Sequence, residues 1–353
     1  MARIGIIGVG YWGPNLVRSF EANSECEVVI VCDRSADRLR NISQQFPNVR
    51  LTTEADDVLD SDLVDAVVIA TPTNTHFELA RQALDEGLHV FVEKPLATSS
   101  HECQELIALA EAKNLVLFVG HVFLYSAAVL KLKQLVNTGE LGDLYYISSR
   151  RLNLGPVRHD VNALWDLAPH DISVMLELMD SRPVSVSCSG LAYLHEQLHD
   201  VCSLTIQFES RKMGIVHVSW LDPHKTRLMT VVGSKKMAVY NDIDSQERIK
   251  VYDQGIDAIP YNDSFGEFQY AYRYGDTYSP RLVEHEPLKA ECNSFVDSVI
   301  TGTTPKTDGY NGLQVVRILE AATVSLLNGN GQVSLGEGDG VHDALEAAAQ
   351  RAG

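Results

Sequence analysis

Three glycines spaced Gly8-x-Gly10-x-x-Gly13, directly after the apolar run 3–7, are the first residues whose type and spacing point to chemistry. Gly8 permits a tight turn, Gly10 lets the backbone approach a pyrophosphate, and Gly13 lets the next helix pack closely on the strand. That helix shows Leu16, Val17 and Phe20 at helical spacing, and its N-terminus would present unpaired N–H groups to a phosphate. A second apolar run, 28–32, ends in Asp33, 20 residues beyond Gly13, where a carboxylate accepts hydrogen bonds from both ribose hydroxyls. An acid there repels a 2′-phosphate, so NAD is expected over NADP, although the adjacent Arg34 could stack on adenine or receive that phosphate. Tyr11 and Trp12 lie in the glycine turn, and Trp12 either shields the pyrophosphate or packs on the sheet edge.

Such a turn needs a sheet beneath it. Apolar runs at 66–70, 89–92 and 116–119 alternate with helical patterns at 75–86 and 101–113, which predicts a doubly wound parallel sheet, the Rossmann arrangement, over residues 1–122. Ligands of such sheets lie beyond the carboxyl ends of the strands, so Thr71-Pro72-Thr73-Asn74, Glu93-Lys94-Pro95 and Gly120-His121 become candidate site segments. From 144 the texture changes. Strands are expected at 144–151, 184–191, 201–208, 214–220, 228–233 and 237–240, closely spaced and with polar turns. This implies an α+β domain over 123–330 with a largely antiparallel open sheet, one face covered by a helix near 169–178. Val216, Val218 and Trp220 would leave an apolar patch on the other face, so a homo-oligomer, dimer or tetramer, is expected through this sheet. Residues 331–353 read as a peripheral tail with a short helix at 341–351.

The 353 residues accommodate roughly two domains. Residues AVILMFWYC at 45% and charged residues at 22% match an ordinary globular chain. With 29 Lys and Arg against 47 Asp and Glu, the formal charge of −18 opposes a polyanion-binding surface, so no nucleic-acid partner is expected. The six cysteines show no C-x-x-C spacing and read as free thiols. No export signal and no apolar run near the roughly 20 residues that span a bilayer is present, so a cytoplasmic protein without membrane contact is expected.

The glycine fingerprint followed by Glu93-Lys94-Pro95 after the strand at 89–92 resembles the Gfo/Idh/MocA family of oxidoreductases. The loop 70–76 and Asp166-Leu167-Ala168-Pro169-His170-Asp171, similar to that family's D-x-G-x-H stretch, extend the resemblance over the whole chain. Ala168 replaces the usual glycine, which leaves open any positive-φ geometry there. Residues 10–15, 121–126, 165–171 and 286–292 are similar to the nucleotide-sugar 3-dehydrogenases of the family, which implies NAD-dependent oxidation at C3 of UDP-N-acetylglucosamine or its uronate. The resemblance assigns the catalytic lysine, aspartate and histidine to Lys94, Asp166 and His170. It also sets Thr71, Pro72, Thr73, His76 and Glu93 along the cofactor, and raises a cis bond before Pro95 as in relatives.

Oxidising a secondary alcohol requires a hydride acceptor and a group that takes the hydroxyl proton. His170 is the natural base. Asp166, four residues earlier, would share its helical face, and Lys94 could stabilise the developing alkoxide and hold the nicotinamide ribose. Plainer roles stand beside these: Asp166 as a helix cap, Lys94 as a turn residue before proline, Thr75 as the cap of its helix. Arg150, Arg151, Asn153 and Arg281 are candidates for a substrate diphosphate or sugar, and Tyr125 and Asn162 for sugar contacts. His195 and His199 lack a matching third ligand, so no metal is expected. Within the same family a free-sugar or inositol dehydrogenase, or a reductase, remains an alternative, as does a non-catalytic NAD sensor.

Overall fold

The structure, a computed structural model, describes residues 1–60, 62–257 and 271–336. The tail expected over 331–353 lies outside the described residues from 337 onward, and so does its helix. The chain forms two compact units, the first holding residues 1–125 and 285–320, the second residues 126–284 and 321–336. A linear division at 122 and 330 does not include this return of residues 285–320 to the first unit.

The first unit opens with β1 (Ala2–Ile7), α1 (Gly13–Glu21), β2 (Cys26–Cys32), α2 (Ala36–Gln45) and β3 (Arg50–Thr52). It continues with β4 (Ala66–Ile69), α3 (His76–Asp85), β5 (His89–Glu93), α4 (Ser100–Lys113) and β6 (Leu117–Gly120). Its six strands lie in the order β3-β2-β1-β4-β5-β6, all parallel, as the alternation predicts. Ala66, Val67, Val68 and Ile69 are all fully buried, the unbroken apolar run of a strand covered on both faces. A capping box between Ser99 and Glu102 starts α4, satisfying two donors that would otherwise be orphaned.

The second unit contains α5 (Ala127–Asn137), β7 (Leu144–Leu152), α6 (Ala163–Met179), β8 (Pro183–Leu191), β9 (Val201–Phe208) and β10 (Met213–Ser219). β11 (Thr226–Gly233), β12 (Met237–Asn241), β13 (Ile249–Asp257) and β14 (Ala271–Tyr278) follow, the last two beyond what the alternation suggests. The nine-stranded sheet runs β14-β13-β12-β11-β7-β10-β9-β8 and closes on a short strand at Val333–Ser334. It is antiparallel throughout except for the central parallel pair β7 and β10. α6 covers one face. A Cβ at Gly214 of β10 would stand 2.9 Å from the Met175 sulfur of α6, so the helix lies directly on that residue. Val216 and Val218 share the face of Gly214 and are buried, as is Trp220. The expectation that these three form the exposed patch is thereby corrected: their period was read properly, but the helix covers the more apolar face. Ile215 and His217 point to the other side and are half-buried.

The chain then returns through α7 (Pro287–Thr301) and enters α8 (Gly309–Leu327). α7 lays Phe295 edge-on against Phe20, Phe91 and Phe118, with centroids 6.2, 5.6 and 5.5 Å apart, while Phe91 stacks on Phe118 at 4.9 Å. This aromatic cluster is the heart of the first unit's core. Among the described residues no helix is long and apolar enough to cross a membrane.

Candidate active site

At the end of β1 the chain turns at Gly8, whose φ of +96° is the left-handed geometry that glycine tolerates. A Cβ at Gly13 would lie 2.4 Å from the Gly8 carbonyl oxygen, so only glycine lets α1 start this close to the turn. Around Gly10 the nearest group is the Arg38 guanidinium, 3.9 Å from a built Cβ, which leaves a cradle open for a ligand. Asp33, only 7% exposed, is braced from both sides. Its Oδ2 accepts the Val9 N–H at 2.8 Å and its Oδ1 the Ser35 N–H at 2.8 Å. The N-cap residue of α1, Trp12, makes no side-chain hydrogen bond to the helix N-terminus. Open glycine backbone, an uncapped helix start and a fixed carboxylate fit the pyrophosphate and ribose of NAD.

Tyr11 and Arg34 are exposed beside this turn. Arg38, which the sequence reading did not select, reaches to 3.5 Å from Asp33 Oδ2. The Trp12 side chain hydrogen-bonds to Glu93.

Two further strand ends stand beside the glycine turn in the same unit. Thr71 and Pro72 follow β4, Thr73 is buried, and the Thr75 hydroxyl donates to the Pro72 carbonyl at 2.8 Å instead of capping α3. His76 is 1% exposed, and its ring spans the Thr71 carbonyl at 3.0 Å and the Pro95 carbonyl at 2.8 Å. It therefore ties the loop after β4 to the loop after β5. The Lys94–Pro95 peptide is cis. Lys94 is half-buried, and its backbone N–H donates to Glu93 Oε2 at 3.3 Å.

In the second unit, α6 starts six positions before the expected Pro169, because Asn162 caps it by accepting the Trp165 N–H at 3.1 Å. Asp166 is consequently in the first turn, where a carboxylate is favoured by the helix dipole, and it is not the cap. Its Oδ2 accepts the Trp220 indole N–H at 3.1 Å and its Oδ1 the Arg158 guanidinium at 3.3 Å. His170 follows on the same face one turn later. Ala168 is buried within α6 and has no positive φ, which answers the question its substitution raised. Trp220 and Arg158 were not selected from the sequence. Trp220 closes an apolar alternation and Arg158 sits in an irregular stretch, so neither spacing announces a carboxylate partner.

The substrate candidates separate. Arg151 is buried in an ion pair with Asp171, its Nε 2.7 Å from Oδ2, which commits the guanidinium to holding α6 on β7. Tyr125 is buried in the first unit, with its hydroxyl 3.1 Å from that of Thr307 and 3.4 Å from that of Ser294. Asn162 is engaged as a cap, Asn153 is half-buried, and Arg150 and Arg281 are exposed. The His195 ring meets that of His159 at 5.1 Å. Among the described residues no three side chains of metal-ligand type come together. The first unit thus gathers the cofactor candidates with Glu93 and Lys94, and the second gathers Asp166, His170, Arg158 and Trp220.

Comparison with known proteins agrees with this construction. Residues 2–121 match the model of the oxidoreductase family with an NAD-binding Rossmann fold, and residues 129–239 match the GFO/IDH/MocA C-terminal domain. The uncharacterized oxidoreductase YdgJ of Escherichia coli is 30% identical over 256 residues, 69% of this chain and 72% of that one. The UDP-N-acetylglucosamine 3-dehydrogenase of Acidithiobacillus ferrooxidans is 26% identical over 320 residues, 89% of this chain and 94% of that one. Its solved structure superposes with a TM-score of 0.76, covering 92% of this chain and 97% of that chain. The scyllo-inositol 2-dehydrogenase of Bacillus subtilis is 26% identical over 344 residues, 93% of this chain and 94% of that one. A glycine cradle built for NAD, on a chain whose two halves both match the same family, makes this protein a member of the Gfo/Idh/MocA oxidoreductases.

Proposed function

We propose that this protein is an NAD-dependent dehydrogenase that oxidises a sugar secondary alcohol, namely C3 of UDP-N-acetylglucosamine or a related UDP-N-acetylhexosamine, to the 3-keto sugar. The observation that carries the reading is Asp166, held by Trp220 and Arg158 one helical turn before His170. The likeness to a UDP-N-acetylglucosamine 3-dehydrogenase along 94% of that protein supports the substrate.

NAD, when bound, supplies the hydride acceptor. His170 takes the hydroxyl proton at Nε2, since its Nδ1 is closed off from solvent. Asp166 orients the imidazole and offsets the positive charge that it gains. Lys94 donates to the oxygen as it becomes an alkoxide. Asn153 and Arg281 contact the substrate, and the second unit carries both sugar binding and self-association. That association uses the sheet face opposite α6, where Ile215 and His217 lie. A cytoplasmic location suits a reaction that draws on the NAD pool.

Mixing the purified protein with NAD and UDP-N-acetylglucosamine should generate NADH absorbance, and Lys94→Ala or His170→Ala should lower turnover by at least about a hundredfold while NAD binding persists. Silence across a panel of nucleotide sugars removes the substrate assignment. The likeness to an inositol dehydrogenase along 94% of its length favours a second reading, a free-sugar or cyclic-polyol dehydrogenase. Free N-acetylglucosamine and inositols in the same assay separate the two.

A further inference from the structure

Behind Lys94, within the first unit, lies a group of buried polar atoms that the reaction above does not use. Glu291 belongs to the stripe of α7 that buries Leu288, Cys292, Phe295 and Val296, where the spacing calls for an apolar residue. It is fully buried, and neither of its carboxyl oxygens has a hydrogen-bond partner. Glu93 ends β5 opposite Gly120 of β6, and a Cβ at Gly120 would stand 3.0 Å from Glu93 Oε2. That close approach presses the Glu93 carboxyl against the neighbouring strand. Its Oε2 accepts the Lys94 N–H, whereas its Oε1 is closed off from solvent and without a partner.

Glu291, fully buried and without a donor, would cost several kcal/mol as a carboxylate, so it is expected to keep its proton. A protonated carboxyl is a donor that needs an acceptor, and an ionised one is an acceptor that needs a donor. The packing turns the two towards each other: Phe295, one turn beyond Glu291 on the same stripe of α7, lies 5.6 Å from Phe91, which shares its face of β5 with Glu93. Each group's surroundings agree: burial and the charge of Glu93 hold Glu291 well above the usual carboxylate range. Burial also raises Glu93, while the nearby Lys94 and its N–H draw it back to about 7. Further titratable groups near the pair stay uncharged. His121, at the end of β6, is pushed down to about 3 by burial and by Lys94, and Tyr125 and Cys292 are raised by burial and so stay neutral.

We propose that Glu291 shares one proton with Glu93, and that this hydrogen bond positions the Glu93 carboxylate against which Lys94 is set. Glu291 is then a positioning residue, and its catalytic consequence rests on the reading of Lys94 given above. No bond to substrate or cofactor is involved, only a proton held between two oxygens.

The test uses the full-length protein with NAD. In infrared spectra at about pH 8, the C=O stretch of a protonated carboxylic acid should be present in the native protein and missing in Glu291→Gln. An identical band in both proteins overturns the proposal. In turnover with UDP-N-acetylglucosamine, Glu291→Gln, whose amide still donates to Glu93, should keep kcat within a few-fold and titrate at the native pH. Glu291→Met removes the donor, so the inflection should move upward by about one unit, and activity near neutrality should fall about tenfold. An unmoved inflection in Glu291→Met, or loss of activity in a folded Glu291→Gln, overturns the positioning role. The infrared band needs no turnover, so it decides the shared proton even if the substrate assignment fails.

Discussion

A carboxylate that orients a base is only as fixed as the donors that hold it. Asp166 has one donor from the indole of Trp220, 54 residues away in sequence, and one from Arg158. A hydrogen bond to a charged group contributes about 1.5–3 kcal/mol, so Trp220→Phe, which keeps the ring and deletes the N–H, should lower kcat by about ten- to a hundredfold. The KM for NAD should stay unchanged, and a parallel rise in that constant would show general damage. His121 makes a separate prediction about acid. Burial holds its imidazole at about 3 against an ordinary value of 6.5. Between those values the unfolded chain binds a proton that the folded one refuses, so stability falls as pH drops from about 6.5 towards 3. At about pH 5 this amounts to ~2 kcal/mol, and His121→Gln should flatten the slope of Tm against pH in that interval.

At the scale of elements, the glycine turn is the feature that the sequence declared most plainly, because its requirements are local: a left-handed residue, a bare backbone and a close strand-to-helix approach. Gly13→Ala sets a Cβ 2.4 Å from a backbone oxygen that cannot swing aside, so α1 must move away from the turn. Overpacking of this kind costs about 1–3 kcal/mol. Calorimetry should show a lower Tm, and NAD titration at least about a tenfold weaker affinity. Asp33 was legible for the same local reason. What stayed hidden depends on distant partners. The sequence reading expects the start of α6 near Pro169, whereas the operative signal is Asn162 accepting from Trp165, a side-chain cap seen only once the helix is folded. The period-2 pattern of β10 grouped Val216 with Val218 but could not say which side α6 would cover. Arg151 looked like a phosphate ligand until Asp171, 20 residues on, proved to be its partner. Glu291 was visible in principle as an acid inside an apolar stripe, a break in pattern of the kind that marks a functional or strained position.

On the scale of the whole molecule, the first unit is discontinuous. Its sheet is complete by Gly120, yet the aromatic cluster of Phe20, Phe91 and Phe118 is covered only when α7 brings Phe295 from the far end of the chain. A fragment of residues 1–125 should therefore bind a dye for exposed apolar surface and aggregate, and adding a peptide of residues 285–320 should suppress both. A fragment that remains monomeric and binds NAD as tightly as the whole protein would contradict this. The same arrangement bears on synthesis. Translation delivers the nucleotide-binding half first, but the ribosome must move through residues 126–284 of the second unit before the helix that seals that half emerges. The nascent cofactor domain thus waits with an open flank for most of its own manufacture, a span in which chaperones would find their opportunity.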